Sequence, residues 1–83
     1  MAWSVIWSDE AQKDLESMDI QVARRMVAKV ESTLSNPLRF YARLKSSRYY
    51  TLRVGDYRVL ARLSLEERLV VIRRAGHRSQ IYG

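Results

Sequence analysis

Eighty-three residues with a formal charge of +6 and no cysteine allow one domain over residues 1–83, and folding buries roughly 60–65% of the unfolded chain's surface at this size. The missing thiols exclude a disulfide framework and a thiolate metal site. A single histidine among nine scattered carboxylates argues against a catalytic metal cluster, so neither metal nor cofactor is expected.

The chain begins with strand-forming residues that alternate over 3–7, with Trp3 and Trp7 on one face, which predicts a first strand whose tryptophans pack against helices. Asp9 and Glu10 arrive before any long apolar run, so no signal peptide is expected. No stretch reaches bilayer-spanning length, which predicts a soluble cytoplasmic protein without a membrane partner. Ser8 or Asp9 suits the cap of a short helix over 10–17 with Ala11, Leu15 and Met18 inward. Asp19 suits the cap of a longer helix with Ala23, Met26, Val27, Val30 and Leu34 at helical spacing, stopping at Asn36 because Pro37 disfavours the helical region before it. The basic, aperiodic segment 38–47 reads as a loop.

Three alternating runs, 48–54, 57–63 and 68–74, read as strands joined by Gly55-Asp56 and by the turn around Glu66-Glu67. The expected architecture is therefore α+β: an N-terminal strand, a helical hairpin, then an antiparallel meander with helices on one sheet face. The two-residue period gives Tyr50, Leu52, Val54, Val59, Ala61, Leu63, Val70 and Ile72 to the core. The opposite face receives Tyr49, Thr51, Arg53, Arg58, Leu60, Arg62, Val71 and Arg73. Positive charge crowds the second half, and it is mostly arginine. Guanidinium groups pair phosphate oxygens and tyrosine rings stack unpaired bases, so this face predicts a polyanionic partner, RNA in particular.

The segment LKSSRYYTLRVGDYRVLARL, followed by VVIRRAGHRSQIYG, resembles the RelE/ParE toxin superfamily, and more closely its RelE branch. The carriers are a Tyr-x-Leu-Arg strand, a Gly-Asp-Tyr-Arg-Val turn and strand, and a terminal Gly-His-Arg with a tyrosine four residues after the arginine. The resemblance implies a ribosome-dependent endoribonuclease that cleaves mRNA through the RNA's own 2′-hydroxyl. It also implies a RelB-like antitoxin, partly acidic and disordered when free. By the same resemblance Arg53 and Arg58 clamp the phosphate, Arg78 stabilises the transition state or leaving oxygen, and Tyr82 orients or stacks on the substrate.

Many RelE toxins carry a lysine where the alignment places Thr51, and threonine cannot replace that candidate base. His77, whose unperturbed titration range lies near neutrality, becomes the candidate for proton transfer, against a plainer reading as a hydrogen-bonded structural residue. Lys45, Arg48, Tyr49 and Arg73 are the candidate RNA contacts. Two other functions stay open: a ParE-like inhibitor of DNA gyrase without nuclease activity, and an inactive RNA-binding homologue.

Overall fold

The computed structural model describes residues 2–81. Its elements run β1 (Ser4–Trp7), α1 (Asp9–Glu16), α2 (Ile20–Ser32), α3 (Pro37–Phe40), β2 (Ala42–Arg43), β3 (Tyr50–Val54), β4 (Tyr57–Ser64), β5 (Leu69–His77) and α4 (Arg78–Ile81). All five strands form one sheet in the order β1-β5-β4-β3-β2. The meander β3-β4-β5 is antiparallel, β2 adds antiparallel to β3, and β1 lies parallel to β5 with Val5 opposite Val70. The expected α+β order stands, and the N-terminal strand closes the sheet beside its last strand. No helix among the described residues is long and apolar enough to cross a membrane.

One sheet face builds the core. Leu52, Val54, Val59, Ala61, Val70 and Ile72 are buried there with Trp3, Ala11, Met26 and Val30, while Tyr50, Leu63 and Trp7 pack against them half-buried. Period-two patterning therefore assigns the core side of all three meander strands. Thr51 is the exception: it has the parity of the open face, yet it is buried, so it is not a surface group.

Both main helices start at side-chain caps. Ser8 Oγ accepts the Ala11 N–H at 3.1 Å, and the Asp19 carboxylate accepts the Gln21 N–H at 2.9 Å. Helix α2 stops before the expected Asn36. Thr33 is fully buried and its hydroxyl bonds the Val30 carbonyl at 2.6 Å, while N–H groups of Thr33 and Leu34 reach back only three residues, tightening the last turn until it ends. Pro37 then opens a new short helix, because its fixed φ and missing N–H suit a first helical position. Segment 38–47 is thus not a plain loop: it holds most of α3 and all of β2. The inward stripe of α2 also differs, since Val22, Met26 and Val30 meet the core while Ala23 and Val27 line a shallow outer depression with Arg24, Ala28 and Glu31.

Strand β5 carries a bulge. Ala61 pairs with Ile72 but Leu60 pairs with Arg74, so Arg73 is an extra residue and the side-chain alternation shifts beyond it. Val70 and Ile72 face the core before the bulge, and Ala75 faces it after. Ser8 fastens the bulge: its N–H donates to the Ile72 carbonyl at 2.9 Å and its hydroxyl donates to the Arg73 carbonyl at 3.0 Å. Because Ser8 both caps α1 and ties the bulge, Ser8→Ala is expected to destabilise the domain by about 1–2 kcal/mol in urea unfolding, more than Asp19→Ala, whose side chain caps α2 alone.

Candidate functional site

The site residues are delivered by register. Gly55 and Asp56 make the two-residue turn between β3 and β4, and of the two only Gly55 has positive φ, at 61°, as a type II′ turn requires of its first central residue. A Cβ at Gly55 would meet Arg25 Nη1 at an ordinary 3.8 Å, so backbone conformation rather than space selects glycine. The turn sets Arg53 directly opposite Arg58, and Arg58 in turn opposite Gly76 of β5. Two residues beyond Gly76, the Arg78 N–H donates to the Asp56 carbonyl at 3.0 Å. Backbone pairing therefore brings Arg53, Arg58 and Arg78 to one corner of the sheet.

Arg53 is exposed and its Nε donates to the Gly55 carbonyl at 3.2 Å. Arg58 is half-buried, with its Nε closed off from solvent. Arg78 is exposed at the start of α4. Register thus sets two arginines directly opposite each other on neighbouring strands.

The remaining predicted residues divide. Arg62 and Arg73 line a shallow depression of about 360 Å³ with Ser64, Glu67 and Val71, at a distance from the turn along the strands. Lys45, Arg48 and Tyr49 lie in the connection between β2 and β3, where Ser46 takes φ 58°. Lys45 and Arg48 are exposed and Tyr49 is half-buried, its carbonyl accepting the Leu44 N–H at 2.9 Å. This connection is at the opposite end of β3 from Arg53, a separation of ~16 Å for five extended residues. Tyr82 lies outside the described residues.

His77 does not share the arginines' sheet face. It pairs with Tyr57, which has the parity of Val59 and Ala61, and the two rings meet edge to face at 5.5 Å and 80°. Its Nδ1 lies 2.9 Å from Ser79 Oγ and 3.2 Å from the Ser79 N–H. With Asp14, Met18, Asp19, Tyr57 and Arg74 it lines a cleft of about 390 Å³ on the helix side of the sheet.

Asp14 is the residue that the sequence reading passed over. Its carboxylate accepts from Arg74 Nε at 2.8 Å and from the Ala75 N–H at 2.9 Å, which fastens the C-terminal half of α1 to the strand just after the bulge. A signal was present: Asp14 sits within the inward stripe of Ala11, Leu15 and Met18, and a carboxylate on such a stripe calls for a cationic or N–H partner. Burial pushes its pKa up, but the Arg74 hydrogen bond, the Ala75 N–H and the Arg74 charge outweigh this and hold it below the ordinary 3.8.

An open sheet face bearing Arg53, Arg58, Arg62 and Arg73, backed by a helical layer, places the chain among small basic α+β domains. The family model described as "ParE toxin of type II toxin-antitoxin system, parDE" matches residues 5–82. The chain belongs to that family, within the RelE/ParE superfamily, and is a toxin of a type II toxin–antitoxin system. Among solved structures, it resembles the toxin–antitoxin complex RelBE2 from Mycobacterium tuberculosis with TM-score 0.84 and 27% identity, over 94% of this chain and 100% of that one. The archaeal RelE–RelB complex from Pyrococcus horikoshii follows at 0.79 and 22%, over 96% and 99%. The intact RelBE complex of E. coli matches at 0.75 and 20%, over 92% and 96%. The last two likenesses speak for the fold alone. A comparison with curated proteins finds no match.

The Asp14 tether has a pH signature. A carboxylate whose folded pKa is depressed stabilises the fold above its unfolded pKa, and the contribution is lost as pH falls through the folded value. Near neutral pH, Asp14→Asn is expected to cost about 1 kcal/mol, discounted for the half-exposed Arg74. In chemical denaturation at stepped pH, the gap from the parent protein should close as pH falls below about 4.

Proposed function

We propose that this chain is a ribosome-dependent mRNA endoribonuclease whose toxicity is the arrest of translation. The observation that carries the reading is the corner at which Arg53 faces Arg58 across a hairpin and Arg78 is tied to the same turn. Three guanidinium groups held by strand register suit a reaction in which the nucleophile belongs to the substrate. The RNA 2′-oxygen attacks the adjacent phosphorus as its proton passes to water, the bond to the 5′-oxygen breaks, and that oxygen takes up a proton from water. The products are a 2′,3′-cyclic phosphate and a 5′-hydroxyl end. The protein's task is to hold the linkage in line and to stabilise charge on the phosphoryl oxygens and the leaving oxygen.

In this reading Arg53 and Arg58 grip the scissile phosphate bidentately and Arg78 meets the leaving oxygen, with Tyr82 stacking on a neighbouring base. Arg73, with Lys45, Arg48 and Tyr49 farther along the sheet, contacts flanking RNA rather than the reacting linkage. The ribosome supplies the ordered substrate. A RelB-like antitoxin, acidic in part and folding as it binds, is the partner that covers the basic face, as charge complementarity and the antitoxin complexes among the structural neighbours support. The cytoplasm is where such a reaction takes place.

A second reading is favoured by one finding: the matching family model is that of the ParE toxin, so inhibition of DNA gyrase without nuclease activity is the alternative. Primer extension on ribosome-bound mRNA separates the two. The nuclease reading expects discrete cuts that fall about 100-fold in rate for Arg53→Ala, Arg58→Ala or Arg78→Ala, and that Arg39→Ala leaves unchanged. Intact mRNA together with gyrase-linked DNA breaks supports the alternative instead.

A further inference from the structure

His77 is the last residue of β5 and immediately precedes α4. Its Nδ1 receives the backbone N–H of Ser79, the second helical residue. A side-chain acceptor just before a helix that takes the N–H of the second helical residue is a helix cap. Asp19 does the same for α2 through Gln21. The cap requires an unprotonated Nδ1, hence the imidazole proton on Nε2, and the Ser79 hydroxyl lies 2.9 Å from the same nitrogen. Tyr57 packs edge to face against the ring.

Arg78 is thus held from both sides. Its own N–H is bonded to the Asp56 carbonyl at the β3–β4 turn, and the next N–H along the chain is bonded to His77. A four-residue helix has almost no stability of its own, because the unfavourable nucleation step is not repaid over so short a run. The two tethers at its start therefore determine where α4 begins and where Arg78 is presented.

We propose that His77 is a positioning residue, the cap of α4 that fixes Arg78 against the hairpin turn, and that it does not transfer the proton. One fact favours this over proton transfer. The ring lies on the helix side of the sheet with Tyr57, whereas Arg53 and Arg58 have the opposite parity. The consequence for RNA cleavage rests on the nuclease reading above; the cap itself does not.

The test compares the full chain with His77→Asn and His77→Ala. Asparagine places an acceptor oxygen near the position of Nδ1 and is a good capping residue, but it cannot shuttle a proton. Three readouts apply: the histidine nitrogen spectrum of the parent protein, amide-exchange protection of the Ser79 N–H, and ribosome-dependent cleavage. The parent spectrum should show the proton on Nε2. His77→Ala should raise the opening equilibrium at Ser79 about fivefold, the effect of losing an ordinary cap, and lower cleavage. His77→Asn should keep both within about twofold of the parent. Across the variants, cleavage should follow Ser79 protection whatever the side chain. A proton on Nδ1, unchanged protection in His77→Ala, or an inactive His77→Asn with Ser79 still protected overturns the proposal. If the parent protein cuts no RNA, the nuclease reading fails, and the spectrum and exchange data still decide the cap.

Discussion

The whole arrangement depends on how α1 braces the bulge in β5. That strand pairs with β1 on one side and β4 on the other, and the extra residue at Arg73 shifts its alternation midway. Without a brace, a bulge beside the core would leave strand carbonyls and N–H groups unpaired, at a cost of about 1–3 kcal/mol each when buried. Ser8 at the start of α1 takes the Arg73 carbonyl, and Asp14 in its second half takes the Ala75 N–H and the Arg74 guanidinium. One eight-residue helix thereby grips the strand on both sides of its irregularity.

The brace reaches the candidate site through register. Beyond the bulge, Ala75 fills the core opposite Val59, Gly76 lies opposite Arg58, and His77 opposite Tyr57. A one-residue slip would turn Ala75 out to the open face and Gly76 inward, and would move Arg78 away from the Asp56 carbonyl. The hairpin turn at Gly55 supplies the other half of the alignment by setting Arg53 opposite Arg58. The arginine corner is therefore the place where two independently fixed strand registers meet, and its location does not require the guanidinium groups to find one another. Their relative placement is imposed by backbone register rather than by contact between the side chains.

Most of the core was legible in the sequence because it obeys one period. Residues from Tyr50 to Val54 and from Tyr57 to Leu63 alternate between the core and the open face with Thr51 as the one departure, and Gly55-Asp56 names its own turn. Legibility ended where a tertiary contact overrode local pattern. The end of α2 is set by Thr33, a buried hydroxyl that no periodicity marks, and Pro37 starts a helix as readily as it stops one. The parity of Thr51 predicts exposure, yet it is buried. The bulge at Arg73 was invisible because Arg73 and Arg74 are alike in type, and only the pairing of Leu60 with Arg74 reveals the extra residue. His77 followed from that: a residue read beside the arginines lies on the other sheet face. The arginine corner was anticipated from resemblance as a set of residues, while the spread of Lys45, Arg48 and Tyr49 toward the far end of β3 needed the fold.

The central claim is that Arg53, Arg58 and Arg78 converge on one RNA linkage. The most direct measurement is a structure of the chain on a ribosome carrying mRNA whose 2′-hydroxyl at the cut position is O-methylated, so that attack is blocked. The account predicts guanidinium groups from all three arginines within hydrogen-bonding distance of a single phosphate and its 5′-oxygen. RNA phosphates gathered instead around Lys45 and Arg48, with the Gly55 turn facing away from the message, would contradict it.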